Sequence, residues 1–234
     1  MKYRQYKQLQ IIQKTPLIFI ENVRAVCYTV RKRGRLFMIL NGVELYNVEE
    51  IDPAMLRLPK RLFSALPPLG VGAAQNATGV ELRFVPEGEV KLTLSTVSTS
   101  HPVVALLYYG STQSGGNTLE YYIDKEPKTF TFTPAPHLSE LPTDTPFSPQ
   151  VLRLMPAGGD IVLHKVEGKV RPPRADEVPQ KTLLFYGSSI THGSLACAPN
   201  MFWTRRTAEA LGFDHRNFGI AGSCRMEPEV VDFL

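Results

Sequence analysis

Apolar and polar side chains alternate with period two over residues 80–85, Val-Glu-Leu-Arg-Phe-Val, the pattern of a strand with one face on a core and the other in water. The same alternation resumes at 90–94 after the turn Pro86-Glu87-Gly88. Further short apolar runs fall at 103–109, 119–123, 129–133, 151–155 and 161–165, separated by Gly, Pro, Asn and Ser clusters such as the stretch 110–117. Short strands at such intervals predict an all-β unit over residues 38–169, a jelly-roll-like β-sandwich. Residues 1–37 carry no persistent period beyond a candidate strand at 23–30, and stand as an N-terminal extension. Residues 170–181 combine prolines and charges without a hydrophobic period and read as a linker. The grammar then changes. Over 182–234 a strand at 182–186 leads to a helix at 202–211 stopped by Gly212, a second strand at 217–220 and a second helix from Glu227, with Pro228 in its first turn. Strand–helix–strand–helix predicts a parallel α/β sheet.

Composition changes this picture little. The chain has 234 residues, 43% hydrophobic and 21% charged, as in an ordinary globular protein, with a formal net charge of +4. Its strongest basic cluster, Arg31-Lys32-Arg33-Gly34-Arg35, lacks the interleaved aromatics of a nucleic-acid surface, so nucleic acid is not an expected partner. No apolar stretch approaches the ~20 residues that span a bilayer. The basic opening is interrupted by Gln13, Lys14 and Pro16, unlike a signal-peptide core, and a cytoplasmic location is expected. The three cysteines, Cys27, Cys197 and Cys224, show no CxxC spacing, which argues against a zinc site or a disulfide framework. Cys197 and Cys224 both fall in loops that could lie near residue 189, and whether they pair is left open. No metal or organic cofactor is implied.

The candidate chemistry lies in Gly187-Ser188-Ser189-Ile190-Thr191-His192-Gly193, directly after the apolar run 182–186. A buried strand that breaks at glycine into serine ahead of a helix lifts a hydroxyl to the carboxyl edge of the sheet, beside the unpaired N–H groups of the helix start. A serine hydroxyl becomes a useful nucleophile once a base takes its proton and donors stabilise the oxyanion. Asn217-Phe218-Gly219-Ile220-Ala221-Gly222-Ser223 ends the next parallel strand at that same edge, where ligands gather in open α/β sheets. The segment is not the G-x-S-x-G elbow of α/β-hydrolases, because Thr191 stands where their second glycine would be.

These residues resemble the SGNH (GDSL-like) ester hydrolases. G-S-S-I-T-H-G is similar to the family's first block, with Ser188 in place of its Asp, and N-F-G-I-A-G is similar to the second. Gly42-Val43-Glu44-Leu45-Tyr46 resembles the G-x-D-L-Y stretch of the β-sandwich that precedes one subgroup, with Glu44 for Asp. The resemblance implies that Ser189 is the nucleophile and that Gly222 supplies an oxyanion-hole N–H. It also implies that 182–234 is the first part of a flavodoxin-like α/β/α domain, and that the substrates are small acyl esters, including carbohydrate acetyl esters. The family's later blocks, an Asn donor and D-x-x-H, find no counterpart after Gly222, so the chain is expected to be an incomplete form of a longer enzyme.

The histidines in hand do not replace that base. His192, one helical turn after Ser189, and Asn217 are expected at the rim of the site. Asp214-His215 lies at the far end of its strand, ~15–20 Å from the carboxyl edge at ~3.3 Å per residue. His101, His137 and His164 belong to the β unit. Phe202 and Trp203 are read as core, and Arg205 and Arg206 as a solvated helix face. The open edges of so small a parallel sheet are a route to oligomers. A reading from another class is a non-catalytic β-sandwich binding module carrying a vestigial hydrolase fragment.

Overall fold

The computed structural model describes residues 27–32, 35–97, 102–114 and 121–234, with side chains from residue 38 onward. Along the chain run β1 (Cys27–Lys32), β2 (Arg35–Leu40), β3 (Val43–Tyr46), β4 (Glu50–Asp52), β5 (Ala54–Leu56) and, after a 3-10 turn at Lys60–Ala65, α1 (Pro68–Gln75). Next come β6 (Glu81–Pro86), β7 (Val90–Thr96), β8 (Val103–Tyr109), β9 (Thr112–Gln113), β10 (Tyr122–Ile123), β11 (Lys128–Phe132), β12 (Leu152–Pro156), β13 (Ile161–Glu167) and β14 (Val170–Arg171). The last part holds β15 (Thr182–Gly187), α2 (Ser189–His192), α3 (Trp203–Ala210), β16 (Asp214–Gly219) and α4 (Pro228–Phe233). Among the described residues, no helix is long and apolar enough to cross a membrane.

Two antiparallel sheets carry the larger part. One has the order β1-β2-β3-β6-β12-β8-β10, with β14 beside β6 and β9 beside β8; the other is β11-β7-β13. Alternate residues of both point into one apolar cluster: Leu82, Phe84, Leu152 and Leu154 from the first sheet, Leu92, Leu94, Phe130, Phe132, Ile161 and Leu163 from the second. Phe84 meets Phe132 edge-on at 5.4 Å between ring centroids. Each such fully buried side chain contributes about 1.5–3 kcal/mol. β15 and β16 form the parallel pair foreseen for the last part, in register from Thr182 opposite Asp214 to Gly187 opposite Gly219.

Three expectations are corrected here. The part before residue 170 is not all-β: α1 starts on Pro67-Pro68, with Pro at N1 where its missing N–H costs nothing. Its Gly70 and Gly72 look like helix breakers in the sequence. The stretch 170–181 is not a free linker, because β14 pairs with β6 and the Glu177 carboxylate receives Arg171 Nη1 and Nη2 at 2.8 and 2.7 Å. Strand β6 is not half-exposed, since all six of its residues are buried. Its polar face, Glu81 and Arg83, is covered by the chain after residue 180. The candidate strand at 23–30 lies partly outside the described residues, as do positions 119–120 of the run at 119–123.

That covering is what joins the two parts. Leu58, Leu62, Leu66 and Ala74, from the 3-10 turn and α1 region, share one cluster with Phe218, Ile220 and Val230 of the last part. The parallel pair is too small to enclose a core alone and borrows half of one from upstream.

Candidate active site

The end of β15 breaks at Gly187, Ser188 stands exposed ahead of the helix, and Ser189 opens α2 half-buried. Gly193, at φ +96°, closes the turn with its N–H on the carbonyls of Ser189 (3.1 Å) and Ile190 (3.2 Å). A four-residue helix does not hold itself, so its position is imposed from β16. Gly219 lies so close beneath it that a Cβ would come within 2.2 Å of the His192 backbone nitrogen. Ile220 N–H then bonds the Gly187 carbonyl at 2.8 Å, carrying the pairing past the strand ends. Gly222 follows in an exposed turn at φ +78°, where a Cβ would fall 2.7 Å from Leu69 Cβ of α1. Ser189 and Gly222 thus follow the carboxyl ends of adjacent parallel strands.

His192 and Asn217 are not at the rim. Both are buried beneath the turn. His192 Nδ1 lies 3.1 Å from the Gly219 carbonyl, which can only accept, so that nitrogen carries the proton. Nε2 lies 3.3 Å from Thr78 Oγ1. Burial, helped by the Arg57 guanidinium 3.4 Å from Nδ1 and opposed by the Gly219 bond, pushes His192 down to about 4. Asn217 is a strut. Its Nδ2 donates to the Thr191 carbonyl of α2 at 2.9 Å, and its Oδ1 accepts the Gly219 N–H at 2.7 Å.

Beneath both sits Arg57, fully buried, which the sequence does not single out. Its Nη1 donates to the carbonyls of Asn217 and Gly219, both at 3.0 Å, and its Nη2 and Nε to those of Ala73 and Asn76, both at 2.7 Å. One guanidinium therefore ties the end of β16 to the end of α1. Burial lowers Arg57 to about 10, which still leaves it a cation at neutral pH.

Asp214 and His215 lie at the opposite end of β16, as expected, and belong to a different structure. Asp214 takes a bidentate pair from Arg83 at 2.7 and 2.8 Å. Arg83 Nε also bonds Glu81, whose carboxylate further receives Arg153 (2.9 Å, twice) and the Arg205 Nη1. Of the two arginines read as solvated, Arg205 is 0% exposed and turned inward, whereas Arg206 is exposed as expected. Phe202 is buried as expected, whereas Trp203 remains 46% exposed, edge-on to Phe185. Burial would raise the Glu81 carboxyl, but three guanidinium groups outweigh it and hold it well below the usual range. His215 Nε2 meets Thr204 Oγ1 at 2.8 Å, and burial with nearby Arg205 holds the ring neutral. His164 bonds Ser95 at 2.7 Å, exposed His137 pairs with Glu140, and His101 lies outside the described residues.

Cys197 and Cys224 are both free thiols. Beside Cys224, the Glu227 carboxylate gathers the Ser223 hydroxyl, the Tyr186 hydroxyl (2.8 Å) and the Arg225 N–H (3.1 Å). Arg57, Glu81 and Glu227 have no local sequence signal. Each is one polar residue in a strand or loop until the fold surrounds it. The nearest hint was Glu81 and Arg83 sharing the polar face of one strand with opposite charges.

Fold and site together define a class: an α/β segment with a serine and a glycine at its carboxyl edge, built against a larger antiparallel β part. Residues 180–234 match the model of the GDSL-like Lipase/Acylhydrolase family. No curated protein matches the chain. Among solved structures it is similar to the salicylyl-acyltransferase SsfX3 from a tetracycline biosynthetic pathway, with TM-score 0.57 and 14% identity over 83% of this chain and 54% of that one. It also matches a family two carbohydrate esterase from Cellvibrio japonicus, with TM-score 0.46 and 13% identity over 78% of this chain and 50% of that one. A third match is the acetyl xylan esterase Est2A from the rumen bacterium Butyrivibrio proteoclasticus, with TM-score 0.38 and 15% identity over 62% of this chain and 41% of that one. The chain spans about half the length of the solved structures it matches. The first likeness is one of fold.

Proposed function

We propose that the protein is a serine ester hydrolase of SGNH type. Ser189 is the nucleophile, and the N–H groups of Ser189 and Gly222 hold the oxyanion. In this reading Ser189 Oγ attacks the acyl carbonyl, the alcohol leaves with a proton, and water then cleaves the acyl-serine to carboxylic acid and free Ser189. Small acyl esters, including acetyl esters of carbohydrate, are the substrate class. The finer architecture goes with it: a jelly-roll-like sandwich over 38–169, and the first strands of a flavodoxin-like domain over 182–234.

One observation carries the reading. Ser189 and Gly222 follow the carboxyl ends of paired parallel strands, within the segment that matches an acylhydrolase family. Two N–H groups converging there would supply the oxyanion stabilisation that commonly contributes most to the catalysis of acyl transfer. No described histidine is assigned as the base in this scheme: His192 and His215 are buried against Gly219 and Thr204, and His164 and His137 bond Ser95 and Glu140 in the β part. The reading is tested with an alkyl fluorophosphonate and with p-nitrophenyl acetate. Whatever label the wild-type protein takes is expected at Ser189, and Ser189→Ala is expected to lose that label together with any ester cleavage. Ester cleavage that survives the substitution removes Ser189 from the scheme.

A further inference from the structure

The turn that carries Gly222 has a costly backbone. Gly222, Cys224 and Met226 all have positive φ, at +78°, +76° and +59°. For the two residues with a Cβ this costs on the order of 1–2 kcal/mol each, and such strain persists only where the surroundings over-determine it. Glu227 is what over-determines it. Its buried carboxylate receives the Ser223 hydroxyl on Oε1, and the Tyr186 hydroxyl and Arg225 N–H on Oε2 at 2.8 and 3.1 Å. Its backbone carbonyl also receives the N–H groups of Val230 and Val231, both at 3.0 Å, so Glu227 is the anchored start of α4. Val230 is fully buried in the cluster with Phe218 and Ile220, with Tyr186 packed against it.

The connectivity of this carboxylate matters for the site. Tyr186 lies on β15 three residues before Ser189, and Ser223 directly follows Gly222. One side chain therefore spans from the strand that delivers the serine to the loop that delivers the glycine N–H. A bare carboxylate near a developing oxyanion would oppose it. Here its charge is taken up by three donors. Burial raises the carboxyl of Glu227, but the bonds from Ser223, Tyr186 and the backbone outweigh this, and it remains ionised at neutral pH.

We propose that Glu227 is a positioning residue for ester hydrolysis. Through Tyr186 and Ser223 it sets the placement of the Gly222 N–H against Ser189, and it touches no substrate itself. The inference rests on the roles given above to Ser189 and Gly222. An N–H displaced by about 1 Å from the oxyanion costs on the order of 10²-fold in rate while leaving ground-state binding nearly intact.

The test measures phosphonylation of the wild type, Glu227→Ala, Glu227→Gln, Tyr186→Phe and Ser189→Ala against fluorophosphonate concentration, separating the initial binding constant from the maximal rate. Hydrogen exchange of the 220–227 loop is followed on the same proteins. Glu227→Ala is expected to lower the maximal rate about 10²-fold at a nearly unchanged binding constant. Glu227→Gln, which keeps the shape and an acceptor oxygen, restores most of it. Tyr186→Phe gives a smaller loss of the same kind and serves in its place should Glu227→Ala fail to fold. Loop exchange in Glu227→Ala quickens roughly tenfold or more while the β-sheets exchange as before. Equal maximal rates in wild type and Glu227→Ala, or unchanged loop exchange, overturn the proposal. Where the wild-type protein resists labelling at Ser189, loop exchange alone decides whether Glu227 holds the turn.

Discussion

His192 shows how one residue's neighbours settle its role. Three positions after Ser189 in the sequence, it looks like a candidate base, yet its ring lies between the Gly219 carbonyl, Thr78 and a buried guanidinium. Burial first, then Arg57, pushes it from 6.5 down to about 4. Between those values the unfolded chain binds a proton that the folded chain does not. Stability is therefore full above about pH 6.5 and falls as pH drops toward about 4, by up to about 3 kcal/mol from this group. His215, held neutral by burial, acts in the same direction. Urea midpoints measured across this window should fall with acid in the wild type. They should fall less steeply in His192→Gln, which keeps the shares of His215 and of His164, also lowered by burial. The pH midpoint of Ser189 phosphonylation should not move in that variant; a displaced midpoint would restore His192 as a base.

At the scale of the element, α2 exists because β16 holds it. Its four residues are below the length at which a helix is stable alone. Contact is made where Gly219 lets two backbones touch and where Asn217 satisfies the Thr191 carbonyl and the Gly219 N–H. Gly219→Ala places a methyl 2.2 Å from a backbone nitrogen, which cannot swing away as a side-chain tip can. The expected loss is about 3 kcal/mol or more, at the upper end for overpacked sites, with Ser189 labelling falling alongside. Thermal denaturation checks the first effect and labelling the second. Strand β8 appears at Val103–Tyr109 as the apolar run 103–109 predicts, and β15 at Thr182–Gly187 is one residue longer than its run. Those runs are continuous and bounded by turn residues. β16 starts at Asp214 rather than 217, because Asp214, His215 and Arg216 look polar in sequence and gain their place in the sheet through partners far along the chain.

For the whole molecule, the decisive surface is the outer face of the larger sheet, where Glu81 compensates Arg83, Arg153 and Arg205 and Arg83 reaches Asp214. Removing one partner of a buried ionic group leaves uncompensated charge and costs about 3–5 kcal/mol, whereas an exposed pair contributes about 0–1 kcal/mol. Glu81→Ala should therefore lower the unfolding free energy by several kcal/mol in chemical denaturation. Lys60→Ala, which removes the exposed 2.6 Å pair with Asp52, should change it by less than about 1 kcal/mol. Equal effects of the two would mean that the network does not hold the parts together.

Local pattern was enough for what depends on a few neighbouring residues. The period-two runs, the glycine break before Ser189 and the proline at the start of α4 all act within one turn or one strand, and they are legible as such. Tertiary structure alone decided what the polar positions do. Whether Arg205 meets water or Glu81, whether His192 faces outward or into Arg57, and what Glu227 holds are set by elements many residues apart, such as β6 and α3 around Glu81. The energy of a polar side chain depends on who shares its burial, and nothing in its own stretch of sequence specifies that. The Ser189 turn could be read in advance for this reason, while the residues that keep it in place could not.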